Sequence, residues 1–465
     1  MNARGRRCGG SRLASTMKGF NRMIKSKYAL RTSILAGAGI IAVMLSGCAS
    51  GGSTTTSTSS ASSTASATSA DCASDATTAN NLVVGTILPV TGSLAYLNPP
   101  EQAGVGLAVS DINAAGGVDG KQACVLAADS GDSTDLSVST ASAQKLIAAK
   151  VSVAIGAASS SVSLNVVDSF ASANITEISP ANTSAKLSGY GPFYYRTAPP
   201  DSVQGSALGS LITGDGNSKV AFLVFNDSYG TGLRDFTQAS IESSGGTVVY
   251  GAKGAGQEFP PGQTTFSAEV TAALAAKPDA IVILAFDETK SIIPELVAQG
   301  WTMPKTYLSD GNTADYSKDF QAGTLENAQG TIPGANANAD FKASLVSWYK
   351  GAENADLKDF SYAPEAYDAT TLTALAALKA KSNVSADLNK ELAAVSGAKG
   401  GTKCASYKEC APLVSAGTDI QYTGQSGIGP FNEKNEPSSA YIGIYKYNAD
   451  NTYTFQTAIE GQTSY

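Results

Sequence analysis

The chain has 465 residues, with 32 Lys and Arg against 39 Asp and Glu for a net charge of −7, and it contains no histidine. That composition excludes Ser-His-Asp and Cys-His nucleophilic sites, His-ligated zinc and a histidine general base. What remains for catalysis is a carboxylate pair, of the kind glycoside hydrolysis uses, or a lysine.

Residues 1–31 hold nine Lys and Arg and no acid, and residues 34–47 form a mostly apolar run of 14. Such a run is too short to span a bilayer comfortably and has the length of a signal-peptide core. It ends in Leu45-Ser46-Gly47-Cys48, which resembles the lipobox of bacterial lipoproteins. That resemblance implies a signal peptide over 1–47 and a lipidated Cys48 as the mature N-terminus. An ordinary signal peptide with a chance cysteine is the rival reading, and Met17 or Met23 would serve equally as the start. Setting 1–47 aside leaves 23 Lys and Arg against 39 acids, a charge of −16. Nucleic acid is excluded as a partner, because phosphate neutralisation needs clustered basic residues. Membrane attachment would rest on the lipid alone.

Residues 48–80 read as a tether. Every residue from 49 to 70 is Ser, Thr, Ala or Gly, a composition that cannot bury enough apolar area to fold, and its mean reach is about 25 Å. With Cys8 in the leader and Cys48 lipidated, Cys72, Cys124, Cys404 and Cys410 remain. An even number in an exported chain favours disulfides over zinc, since no Cys-x-x-Cys pair exists. Cys72–Cys124 is the expected first pair, because neighbouring parallel strands bring their starts together. Cys404–Cys410 then closes a small loop in a Gly-rich stretch.

From residue 82 onward strands and helices alternate. The pattern predicts strands over 82–88, 123–128, 151–155 and 176–178, with helices over 101–115, 136–149 and from the serines after 156 through Phe170. It then restarts, with strands over 220–225, 247–250 and 280–286 and helices over 229–243, 266–276 and about 292–299. Two successive blocks of this kind argue an α/β protein of two lobes, each a mostly parallel sheet flanked by helices. Residues 197–200, Thr-Ala-Pro-Pro, read as a crossing between them. Helices over 341–349, 362–381 and 386–395 and strands over 440–447 and 453–457 come too late for a separate domain. They must dock on lobes already made, so the chain crosses more than once. The expected division is 81–199 with 334–430 as the first lobe and 200–333 with 431–465 as the second.

In open α/β sheets, ligands bind outside the carboxyl ends of the strands. Three serines, Ser159 to Ser161, stand at one such end, and residues 178–188, ISPANTSAKLS, stand at the next. The second block offers FNDSYGTGL (225–233), LAFDETK (284–290) and YLSDGN (307–312) at corresponding places. Hydroxyls and exposed N–H groups in one lobe with carboxylates in the other suit a zwitterion. Bland readings stand beside this one. The serines can be plain helix caps, Tyr229 can be packing, Asp310 can form a turn before Gly311, and Asp287 with Glu288 can open a helix.

These stretches, with VVGTILPVTGSLA, DINAAGGVDGK, YYRTAPPDSVQG, TTFSAEV, PDAIVI and GIGPFNEKNEP, resemble the type I periplasmic solute-binding proteins of ABC importers, in the leucine/isoleucine/valine-binding branch. The resemblance implies a type I periplasmic-binding-protein fold that captures an amino acid between the lobes. It places the carboxylate on Ser160, Ala181 and Thr183, the Cα region against Tyr229 and the ammonium on Asp310. It also puts Phe286 and the first-loop aromatic, Tyr96 or its neighbour Leu97, in the side-chain pocket. No cofactor, metal or catalytic residue is implied. The expected partners are an ABC importer permease and the outer face of a bacterial cell membrane, reached through the lipid, with the protein a monomer. A sensor lipoprotein without an importer, or an anchored hydrolase using Asp287 and Asp310, are the alternatives.

Overall fold

The computed structural model describes residues 70–462. The predicted leader, Cys48 and most of the tether lie outside these residues. Strand β1 (Leu82–Leu88) is followed by α1 (Asn98–Ala114), β2 (Ala123–Asp129), α2 (Leu136–Ala148), β3 (Val153–Gly156), α3 (Ser160–Ser172), β4 (Glu177–Ser179) and β5 (Tyr194–Arg196). These five strands form one parallel sheet in the order β2-β1-β3-β4-β5. The chain continues through α4 (Asp201–Gly214), β6 (Lys219–Val224), α5 (Ser228–Ser243), β7 (Thr247–Tyr250), α6 (Ser267–Ala275), β8 (Ala280–Leu284), α7 (Thr289–Ala298), β9 (Thr306–Leu308) and β10 (Gln329–Pro333). Next come α8 (Ala339–Glu353), α9 (Ala363–Ala380), α10 (Ser385–Ser396), β11 (Thr402–Cys404), α11 (Tyr407–Ser415) and β12 (Ile420–Tyr422). A last hairpin, β13 (Ser439–Tyr447) and β14 (Tyr453–Gln462), completes the second sheet in the order β14-β13-β10-β9-β8-β6-β7. In that sheet β6 to β10 run parallel and the hairpin is antiparallel.

The central strands are apolar without alternation because helices cover both faces. Both β1 and β8 are buried along their whole length. Helix α9 is buried from Ala363 to Leu378, packed between α1, α10, α11 and the first sheet. Two of its interior threonines are tolerated because Thr370 and Thr373 donate back to the Ala366 and Ala369 carbonyls at 2.9 and 2.8 Å. Within the described residues the chain passes between the two sheets three times, after β5, after β10 and before β13. No helix among these residues is long and apolar enough to cross a membrane.

Helix α4 escapes the sequence reading, and its composition explains why. Gly205 and Gly209 lower its helix propensity by about 1 kcal/mol each, yet α5 lies so close that a Cβ at either position would fall 2.5 Å from Phe236 or Ser240. The glycines serve a helix contact and not a turn. Strand β10, the three-residue β11 and β12, and α11 with its internal Pro412 are likewise too short or too irregular for a periodic signal.

Both disulfides form as expected, Cys72–Cys124 and Cys404–Cys410, with Cα separations of 4.8 and 5.4 Å. The route of the first differs from the expected one. Cys72 is not brought in by β1; its segment runs along the free edge of β2, with the Cys72 N–H donating to the Val125 carbonyl at 2.8 Å. Cys410 lies on α11, so the second bridge ties a helix to the end of β11.

Candidate functional site

Strand β3 ends where only glycine fits. Gly156 has φ +129°, and a Cβ there would meet the Ile87 carbonyl oxygen at 2.1 Å. The chain then turns through Ala157 and Ala158 into the three serines, each with its own task. Ser159 is the N-cap of α3 but makes no side-chain cap; its hydroxyl is buried with no hydrogen-bond partner among the described residues. Ser160 accepts from the Ser184 N–H at 3.2 Å, which leaves its hydroxyl proton free to donate. Ser161 Oγ lies 2.8 Å from Ser228 Oγ, at the start of α5 beside the opposite sheet. The loop is fixed from below by Ser163, which accepts from the Ala157 N–H at 3.0 Å and donates to Glu177 at 2.6 Å.

The next strand end carries Ala181 and Thr183. Ser179 Oγ accepts from the Asn182 N–H at 2.8 Å, and Asn182 donates to the Ala158 carbonyl at 2.9 Å. Arg196, fully buried, donates to the Ser184 carbonyl at 2.9 Å and pairs with Glu436 from the last passage between sheets. The Thr183 hydroxyl is buried and lies beside the Asp201 carboxyl without a hydrogen bond of ordinary length and angle. Burial pushes Asp201 up to about 8.

From the second sheet come Tyr229, Phe286 and Asp310. Asp227 caps α5 by accepting from the Tyr229 N–H at 2.9 Å and so aims the Tyr229 ring, which stacks on Phe286 with centroids 5.5 Å apart. Glu288 holds Phe286 by accepting from its N–H at 2.9 Å. Asp287 is half exposed, pairs with Lys290 and does not line this space. Asn312 locks the loop after β9: it accepts from the Ser309 N–H at 2.8 Å and donates to the Ile283 carbonyl at 3.0 Å. Asp310 itself is therefore released from turn formation. Its carboxylate accepts from Tyr229 at 2.5 Å, Gln204 at 2.7 Å and Tyr362 at 2.6 Å. Burial raises its pKa above the ordinary carboxylate value, and these donors offset only part of that.

Ser160, Ala181, Thr183, Tyr229, Phe286 and Asp310 thus share one enclosure, together with Leu94 and Leu97. In the first loop Leu97 supplies the wall, while Tyr96 braces the site by donating to the Asp310 carbonyl at 2.9 Å. Sequence reasoning missed Gln204 and Tyr362. Gln204 lies on the unpredicted α4. Tyr362 sat at the edge of a predicted helix, where its φ of +60° left no mark in the sequence. The loops of the two sheets touch directly, and about 10 Å³ of free space remains between them, roughly one water's worth. Among the described residues no group of three or more His, Cys, Asp or Glu could hold a metal ion.

Glu177 under the serine loop gives a pH prediction. It is fully buried, one carboxylate oxygen has no partner among the described residues, and burial pushes its pKa from 4.5 to about 8. A raised carboxyl pKa gives stability that is complete below pH 4.5 and is lost as pH rises through 8. The full loss corresponds to on the order of 4–5 kcal/mol. Glu177→Gln, which keeps the acceptor for Ser163, should flatten the decline in melting temperature between pH 5 and 9. An unchanged slope would show that Glu177 ionises in the fold without cost.

Residues 81–407 match the family described as periplasmic binding protein. The chain is 26% identical over 193 residues to Leu/Ile/Val-binding protein homolog 3 of Brucella melitensis, covering 41% of this chain and 50% of that one. It is 28% identical over 175 residues to a leucine-, isoleucine-, valine-, threonine- and alanine-binding protein of Pseudomonas aeruginosa, covering 37% and 46%. It spans about half the length of these curated relatives. A branched-chain amino acid transporter substrate-binding protein of Streptococcus pneumoniae, solved with isoleucine, superposes with a TM-score of 0.66 at 23% identity, over 82% of this chain and 99% of that one. A solute-binding protein of Rhodopseudomonas palustris, solved with p-hydroxybenzoic acid, gives 0.64 at 16% identity, over 82% and 98%. At these identities the two likenesses establish the shared fold.

Proposed function

The chain belongs to the type I periplasmic binding proteins, and on that premise we propose that it captures an amino acid or a similar small zwitterion between its two sheets. The observation that carries this reading is the pairing inside one enclosure. On one side the buried Ser159 hydroxyl lacks a partner and the buried Thr183 hydroxyl has only the Asp201 carboxyl beside it, and a buried carboxylate, Asp310, stands on the other. A buried polar group without a partner costs about 1–3 kcal/mol, so the site is complementary to something that accepts hydrogen bonds there. A carboxylate does so through Thr183 and Ser160, and an ammonium completes the shell of Asp310 with a charge-assisted bond.

In this reading Cys48 carries a lipid, the Ser/Thr-rich tether lifts the body off the outer face of the cell membrane, and the loaded monomer delivers its solute to an ABC importer. The chain is a carrier and not an enzyme. Of the two carboxylates a hydrolase would need, Asp287 lies outside the enclosure that holds Asp310.

A thermal-shift screen of amino acids tests the reading. A solute at 100 times its dissociation constant should stabilise the fold by about 2.7 kcal/mol, and no shift with any amino acid would remove the proposal. Thr183→Val deletes one hydrogen bond to a charged group, a loss of about 1.5–3 kcal/mol. Affinity for a zwitterion and for its des-amino acid should fall alike, by roughly 10- to 100-fold. Unchanged affinity in calorimetric titration would take Thr183 out of the site.

A further inference from the structure

Asp201 opens α4 directly after the first passage between sheets and meets Thr183 at two points. Its N–H donates to the Thr183 carbonyl at 2.7 Å, and its carboxyl lies beside the Thr183 hydroxyl. The side chain is fully buried, and neither carboxyl oxygen has a hydrogen-bond partner among the described residues. Helix α5, from the other sheet, closes over it: a Cβ on Gly232 would lie 3.0 Å from Asp201 Oδ2. Asp201 does not line the enclosure itself, so any effect on a solute passes through Thr183.

An ionised carboxylate in that place has no donor to hold it. The ionisable groups facing it are Asp310 on the loop after β9, Arg196 at the end of β5 and Asp227 before α5. The two acids disfavour its charge. The arginine is committed elsewhere, donating to Glu436, to Ser188 and to the Ser184 and Asn182 carbonyls. The neighbouring Ser184 hydroxyl is also engaged, donating to the Ser228 carbonyl at 3.2 Å. A buried carboxyl with neither donors nor a cation of its own keeps its proton.

That proton has an acceptor at hand. A threonine hydroxyl carries one proton and two lone pairs, and capture of a solute carboxylate spends the Thr183 proton. An ionised Asp201 could only accept, so it would compete for that proton and repel the solute. We propose that Asp201 is a positioning residue that works as the neutral acid, donating to Thr183 Oγ so that the Thr183 proton is left for the solute carboxylate. This rests on the reading of Thr183 given above. The two side chains now lie adjacent without an ordinary hydrogen bond, and the bond forms when the solute fixes the hydroxyl. Burial pushes Asp201 up to about 8, so the relay is intact below that pH and is lost above it. Once Asp201 is ionised, a proton must be restored for each solute bound, which weakens capture as the pH rises.

Calorimetric titration from about pH 6.5 to pH 9 tests this, with leucine or whichever amino acid raises the melting temperature most. Asp201→Asn is the comparison, because its amide NH2 donates to Thr183 Oγ at every pH. Each protein is read against its own affinity at the lower pH. The parent should fall about tenfold more than Asp201→Asn over this range, one factor of ten for each pH unit above the shifted value. Deprotonation of the solute's own ammonium weakens both proteins alike, so the difference between the profiles isolates Asp201. Should Asp201→Asn fold poorly, Asp201→Ser keeps a donor hydroxyl without a charge and should give the same flatter profile. Parallel profiles for parent and variant would overturn the relay. If Thr183→Val weakens binding and the profiles are still parallel, the relay alone falls. If Thr183→Val leaves affinity unchanged, or no amino acid binds the parent, the reading of Thr183 fails and the relay fails with it.

Discussion

Asp310→Ala should weaken amino-acid binding by roughly 10²–10³-fold or more, the equivalent of about 3–5 kcal/mol for one partner removed from a buried charge pair. Its carboxylate is 6% exposed and already accepts from Tyr229, Gln204 and Tyr362, so its position is set before any ligand arrives. An analogue lacking the ammonium should bind the parent weakly and lose little more in the variant. Asp310→Asn separates charge from most of the scaffold, because the amide oxygen still accepts from Tyr229 and Gln204 while the charge is gone and the amide NH2 faces the Tyr362 hydroxyl as a donor. It should lose most of the affinity with a much smaller change in stability. If the amino acid and its des-amino analogue lose equally, Asp310 shapes the loop and does not touch the ammonium.

Arg196→Met should destabilise the fold by about 3–5 kcal/mol, because Glu436 would be left as a buried and uncompensated charge. Both side chains are at most 1% exposed, and the arginine also donates to the Ser184 and Asn182 carbonyls and to Ser188. Arg196 ends β5 just before the first passage between sheets, and Glu436 lies in the last one. The pair thus ties two passages to the loop that carries Thr183. Arg196→Met with Glu436→Leu should recover much of the loss, since an apolar pair of similar volume replaces a buried ion pair at little net cost. Denaturant unfolding of the three variants decides it. A single-variant loss below about 1 kcal/mol, or a double variant no better than the single, would contradict the assignment.

Much of this architecture was legible in advance because burial writes itself into sequence. Fully covered strands such as β1 and β8 appear as unbroken apolar runs, and α1 shows its buried face at Val105, Ala108, Val109 and Ile112. The strand-end loops that carry Ser160, Thr183, Tyr229 and Asp310 were legible because parallel sheets present their ligand loops at one end; the choice of those residues within the loops came from the family resemblance. What escaped depends on contacts distant in the chain. Gln204 reaches Asp310 from a helix whose glycines are explained only by the neighbouring α5, and Tyr362 reaches it from 52 residues away. The extreme closeness of the two loop sets is also a tertiary fact. Ser161 and Ser228 are 67 residues apart, and no local pattern pairs them.

The central claim, that one enclosure reads both ends of a zwitterion, is tested most directly by titrating the protein calorimetrically with three ligands that share one side chain. They are the amino acid, its des-amino acid and the amine lacking the carboxylate. The amino acid should bind with a negative heat-capacity change, and both truncated ligands should bind at least about a hundredfold more weakly, since each leaves buried polar groups unpaired. A des-amino acid or an amine that binds as tightly as the amino acid would contradict it.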